Sequence, residues 1–166
     1  MRALVALGSN LGDREENLRR AVRALPGAGF AVRGTSSVYE TEPVGGPPQG
    51  PYLNAVVLAD TALGAAEAVD ALLGLERDLG RRRTVPNAPR VIDLDLLLLG
   101  DLVADAPRAQ VPHPRMHERR FVLEPLCEVA AEARHPRLGR TACELLAACP
   151  DRASVRRVLP PSALLG

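Results

Sequence analysis

The chain has 166 residues, 46% of them hydrophobic and 25% charged, with a net charge of +1. That balance suits one folded domain with a substantial core, and it excludes wholesale disorder as well as coating of nucleic acid or membrane through bulk charge. All 21 basic residues are arginine, so the phosphate-binding lysine of a P-loop is absent and any phosphate must be held by arginine forks.

RALVAL, residues 2–7, reads as a first strand closed by Gly8, and its apolar run is too short for a secretory leader. Asp13 is placed as a helix N-cap with Glu16 as its capping-box partner, and Leu18, Ala21, Val22 and Leu25 mark one helical face that Pro26-Gly27 ends. A weaker strand is expected over 29–40. The stretch EPVGGPPQGP, 42–51, is too rich in proline and glycine for regular structure and reads as a binding or lid loop. YLNAVVLADT, 52–61, is the next strand. A second helix follows over 64–79, with Val69, Leu72, Leu73 and Leu79 inward, and then the strand VIDLDLLLL.

This order predicts an α+β fold, a ferredoxin-like βαββαβ sandwich with a mainly antiparallel sheet. A C-terminal helical annex is expected to follow, capped by Thr141 and Glu144 and stopped by Pro150. One domain covers 1–166. Cys127, Cys143 and Cys149 lack metal-ligand or redox spacing and read as reduced thiols. No apolar run approaches the roughly 20 residues of a membrane span, so a cytoplasmic, monomeric protein is expected.

The chemistry concentrates around PRVIDLDLLLLG, 89–100. In a strand, residues i and i+2 share a face about 6.5 Å apart, so Asp93 and Asp95 project together while Ile92, Leu94 and Leu96 project oppositely. Two buried carboxylates need compensation. A pair of Mg²⁺ ions clamping a polyphosphate would supply it, as would ion pairs to arginines such as Arg90. Glu76 falls on the apolar face of the second helix, and Arg81, Arg83 and Arg90 bracket the aspartate strand. His113 and His117 are separated by Pro114, which disfavours a shared zinc; a hydrogen bond from His113 to phosphate fits better. Tyr52 and Phe121 with Asn54 suit a flat, hydrogen-bonding heterocycle.

Together LGSNLGDR, SSVYETEPVG, PYLNAVV, LERDLGRRR, APRVIDLDLLLLG and VPHPRMHERRFVLEPL resemble the 6-hydroxymethyl-7,8-dihydropterin pyrophosphokinase family over nearly the whole chain. The resemblance implies transfer of pyrophosphate from ATP to the hydroxymethyl group of the dihydropterin, with release of AMP. It implies that Asp93 and Asp95 hold two Mg²⁺ ions and that Tyr52 and Phe121 sandwich the pterin. Asn54 and the backbone of Thr41, Pro43 and Val44 would complete that pocket. Glu76, Arg81, Arg83, Arg90, Ile92, His113 and Arg119 would line the nucleotide and phosphate site. Two positions depart from some members, which carry a tryptophan where Asn87-Ala88 stands and a tyrosine where Pro114 stands. A different two-metal nucleotidyl or phosphotransferase on the same fold would leave Tyr52, Asn54 and Phe121 without a role. An arginine-rich nucleic-acid module is opposed by the near-neutral charge and by an aromatic content of 2%.

Overall fold

The computed structural model describes residues 1–43, 46–82 and 85–165. Strand β1 (Arg2–Ser9) leads through Asp13 into helix α1 (Arg14–Ala24). The Asp13 carboxylate accepts the Glu16 N–H at 3.1 Å. The Glu16 side chain turns instead to Arg19 and Arg23, so only half of the expected capping box forms.

The strand expected over 29–40 is two strands, β2 (Phe30–Thr35) and β3 (Val38–Thr41), both antiparallel to β4 (Tyr52–Thr61). Between them Ser36 and Ser37 are buried, and the Ser36 hydroxyl accepts the Val56 N–H at 2.9 Å, replacing a ladder bond with a side-chain one. Helix α2 (Ala65–Asp78) follows, then β5 (Asp93–Leu99). A small hairpin of β6 (Ala104–Ala106) and β7 (Ala109–Val111) precedes a 3₁₀ turn at Met116–Glu118 and helix α3 (Arg120–Val129). Helix α4 (Ala142–Ala147) carries the expected Thr141–Glu144 capping box. A strand the sequence reading did not foresee, β8 (Val155–Leu159), then pairs with β3, and α5 (Ser162–Leu165) ends the chain.

The result is a mixed fold of helices on an antiparallel sheet in the order β5-β1-β4-β3-β8, with β2 also on β4. Residues of α1 and α2 pack on one face, against Val5, Leu7, Ala55, Val57, Leu94 and Leu96. Residues of α3 and α4 pack on the other, against Leu4, Val56, Leu97 and Leu98. Burial from both sides explains the nearly continuous apolar runs of β1 and β4. It also explains four successive leucines at the end of β5: a register shift opposite Leu4/Val5 lets Leu97 and Leu98 enter the same layer. Among the described residues no helix is long and apolar enough to cross a membrane.

The expectation of three free thiols is corrected. Cys127 and Cys143 form a disulfide with Cα atoms 4.9 Å apart, and Cys149 is the buried free cysteine. Packing of α4 against α3 makes the pair, which spacing in sequence does not reveal. Closing a loop of 16 residues contributes roughly 3 kcal/mol through the unfolded state. Reduction, or Cys127→Ser, should therefore lower Tm by roughly 6–12 °C in calorimetry, and an unchanged Tm would contradict a stabilising bond.

Candidate active site

The site begins with a row across the sheet. Asp93 pairs with Gly8, Gly8 with Asn54, and Asn54 with Tyr39, and residues directly opposite one another share a face. Asp95 lies opposite Ala6 in the next such row. All project to the α3 side, where Leu97 is covered but the aspartates, nearer the strand start, line open space. Gly8 leaves the floor between them bare: a Cβ there would lie 3.0 Å from the Asn54 side-chain oxygen and 3.4 Å from the Tyr52 ring.

Glu76 and Arg81 tie α2 to the aspartate strand. Arg81 Nη1 donates to Glu76 Oε2 and to Asp93 Oδ1, each at 2.7 Å, with the Glu76 and Arg81 side chains only 3% and 8% exposed. Glu76 Oε2 also accepts the Leu94 N–H at 2.7 Å. Arg90 Nη1 donates to the other Asp93 oxygen at 2.9 Å. The ion-pair alternative is thus realised for Asp93. It is not realised for Asp95, which has no hydrogen-bond donor among the described residues. Burial first, then the charges of Asp93 and Glu76, push the Asp95 carboxyl up to about 7, against the smaller opposing charges of Arg119 and Arg90.

Two cavities meet here. The first, about 340 Å³, is lined by Thr41, Pro43, Tyr52, Asn54, Phe121 and Arg119. The second, about 530 Å³, is lined by Leu72, Leu73, Glu76, Arg81, Leu96 and His113. Arg90, Asp93 and Asp95 line both. In the first cavity Asn54 Nδ2 donates to the Thr41 hydroxyl at 2.5 Å, which fixes the amide's orientation. The Arg119 guanidinium lies 5.7 Å from the Phe121 ring centroid, within cation–π range. In the second, burial and then Arg119 lower the His113 pKa, favouring the neutral ring. Its Nδ1 accepts the Arg115 N–H at 3.2 Å, leaving Nε2–H as a donor.

Most of the sequence-derived residues therefore converge. Ile92 is fully buried in the core, so only its main chain could meet a ligand. Val44 and Arg83 lie outside the described residues. His117 packs edge-on to His135, ring centroids 6.0 Å apart, rather than joining His113. Sequence reasoning assigned no role to Asn10, Gln49 or Asn87, yet Gln49 and Asn87 line the first cavity. Asn10 Nδ2 donates to Gln49 Oε1 at 2.6 Å, and its oxygen accepts the Arg90 N–H at 2.8 Å. Gln49 Nε2 in turn donates to the Asn87 carbonyl at 2.8 Å. Gly46, at φ 75°, allows this docking, since a Cβ there would come within 2.3 Å of that carbonyl. The signal was the GSN of the first motif, whose asparagine has no helical or strand role of its own.

The carboxylate pair fits a divalent cation. Asp95 is uncompensated, and Asp93 keeps lone pairs beyond those its arginines use. Among the described residues no group of three or more His, Cys, Asp or Glu side chains is placed to hold a metal. The remaining ligands would have to be water and phosphate oxygens, which is the habit of Mg²⁺.

Similarity to known proteins gives the class first: the chain is similar to pyrophosphokinases, transferases of the kinase type. A Bacillus subtilis 2-amino-4-hydroxy-6-hydroxymethyldihydropteridine pyrophosphokinase is 45% identical over 131 residues, 78% of this chain and 78% of its own length. The Pseudomonas aeruginosa protein of the same name is 41% identical over 152 residues, 90% of this chain and 92% of its own. Residues 4–131 match the family model described as 7,8-dihydro-6-hydroxymethylpterin-pyrophosphokinase (HPPK). The chain belongs to this family, the pyrophosphokinases of folate biosynthesis. A Plasmodium falciparum HPPK-DHPS structure shares the fold, with a TM-score of 0.67 at 15% identity; the match covers 89% of this chain and 45% of that one.

Arg81→Ala should cost roughly 3 kcal/mol in urea denaturation, the lower end for breaking a buried ion pair because Asp93 keeps Arg90. A loss below about 1 kcal/mol would show that the pair is not buried in solution.

Proposed function

We propose that the chain transfers the pyrophosphoryl group of ATP to the hydroxymethyl group of 6-hydroxymethyl-7,8-dihydropterin and releases AMP. The observation that carries this reading is the meeting of two cavities at Arg90, Asp93 and Asp95. The first cavity takes the pterin: Tyr52 and Phe121 stack on its faces, Asn54 reads its polar edge, and the backbone of Thr41 and Pro43 closes the rim, with Val44, outside the described residues, as a further backbone contact. The second takes ATP, with Leu72, Leu73 and Leu96 as apolar wall and Glu76, Arg81 and His113 as polar partners. Arg83, Arg90, Arg119 and the Ile92 main chain complete that half.

Asp93 and Asp95 would hold two Mg²⁺ ions, which when bound supply charge neutralisation of the triphosphate and polarise the phosphoryl group. The chain's own residues do the positioning. Stacking holds the pterin so that its hydroxyl faces the β-phosphorus in line with the α–β bridging oxygen. As the new O–P bond forms, the bond from the β-phosphorus to that oxygen breaks. AMP leaves with the electron pair, and the hydroxyl proton passes to solvent. Arg81, Arg83 and Arg119 stabilise charge on the phosphoryl oxygens, and Gln49, bonded to the Asn87 carbonyl at the first cavity, helps keep bulk water, the competing acceptor, from the β-phosphorus.

The sheet order, with α1 and α2 together on one face, supports reading the body as ferredoxin-like and the segment after β5 as an appended C-terminal annex. The near-neutral charge of +1 supports small-molecule partners, not nucleic acid.

Incubation with Mg-ATP and the hydroxymethyl-dihydropterin should yield AMP only when the pterin is present. Release of pyrophosphate would instead identify a nucleotidyl transferase, and release of ADP a simple kinase. Asp95→Ala should reduce kcat at least a thousandfold with the circular dichroism spectrum unchanged, and near wild-type turnover would rule out its metal role. Phe121→Ala should raise the pterin KM by roughly tenfold or more with little change for ATP; equal losses for both substrates would contradict stacking.

A further inference from the structure

Arg14 breaks a local rule. It occupies the first position of α1, where the helix dipole favours the acids found beside it, Glu15 and Glu16, and disfavours a cation. Departures of this kind mark places where another demand overrides helix stability. That demand is visible in its contacts. Arg14 Nη1 donates to the carbonyl oxygen of Pro51 at 3.0 Å and to Glu40 Oε2 at 3.1 Å. The other Glu40 oxygen accepts from Arg156 of β8 at 2.8 Å. Hydrogen bonds from Arg156 and Arg14 hold the Glu40 carboxyl below its ordinary range.

Glu40 and Pro51 are the two stems of the proline- and glycine-rich 42–51 segment. Glu40 lies on β3, just before its end, and Pro51 immediately precedes β4. The pairs that close the ladder between them are Glu40–Leu53 and Thr41–Tyr52. One guanidinium therefore grips the chain where it leaves the sheet and where it returns. Thr41 and Tyr52, the residues just inside those stems, line the first cavity. None of Arg14, Glu40, Pro51 and Arg156 lines either cavity, so their effect reaches the site through Thr41 and Tyr52, which line the first and not the second.

We infer that Arg14 is a positioning residue for the pterin half-site, clamping both stems of the 42–51 segment so that Thr41 and Tyr52 present themselves to the ring. This rests on the reading of the first cavity as the pterin site. A surface ion pair alone would contribute little and would not distinguish the substrates. Arg14 differs because one of its acceptors is a backbone carbonyl at the hinge of the segment.

The test is a KM-against-kcat comparison on the whole chain. Arg14→Ala should raise the pterin KM about tenfold, the loss of a charge-assisted hydrogen bond, with the ATP KM and kcat within about twofold. Arg14→Lys, which keeps charge and donors but not the planar fork, should restore part of the loss. Glu40→Gln, which keeps the shape but weakens the grip, should give the same selective effect in smaller measure, and it serves if Arg14→Ala does not fold. Pterin and ATP constants that move together, or a fall in Tm with the pterin KM unchanged, would overturn the inference. Calorimetry of the wild-type chain with the hydroxymethyl-dihydropterin separates the two levels. Wild-type binding with no selective defect in the variants refutes the clamp alone. No binding by the wild type refutes the reading on which it rests.

Discussion

The contact on which the site depends is the one among Arg81, Glu76 and Asp93. β5 is an edge strand, and an edge leaves backbone groups without a ladder partner. Glu76 answers for one of them by accepting the Leu94 N–H, and the His113 N–H answers for another at the Leu97 carbonyl, 2.9 Å away. A carboxylate on the inner face of α2 is compensated by Arg81, and Arg81 in turn meets Asp93. Packing of α2 on the sheet and the location of the aspartates are therefore one arrangement.

That arrangement leaves the two aspartates unequal. Asp93 carries an arginine on each oxygen, while Asp95, one pleat further along, is left with unfavourable neighbours. The imbalance creates a local demand for positive charge between two cavities of different character. One is floored by Gly8 and walled by aromatic and amide groups; the other is lined by leucines together with a histidine. A flat polar ring and a nucleotide bearing phosphates could approach the same carboxylates from different sides without competing for space.

Much of this was legible in the sequence because it follows from short periods. The alternation in β5, the helical spacing of Leu72 and Glu76, and the cap at Thr141 are each set within a few residues. What could not be read depends on contacts between distant segments. The break at Ser36-Ser37 is accommodated by Val56 of β4, and Glu128 of α3 accepts from Ser37 and Tyr39 of β3. β8 is a strand because β3 offers an open edge; its own sequence, with Arg156 and Arg157 exposed, gives little sign of it. Asn10, Gln49 and Asn87 find one another only once three loops have been brought to the same end of the sheet.

The bond between Cys127 and Cys143 also changes what the C-terminal part of the molecule is, topologically. It turns the stretch between α3 and α4 into a covalent ring, and the outer arc of that ring, around Arg137 and Leu138, is exposed. A cut in that arc would sever the backbone without releasing either piece. The aromatic wall at the head of α3 and the strand β8 beyond α4 would stay on one molecule, and the break would show only after a thiol reductant opened the ring.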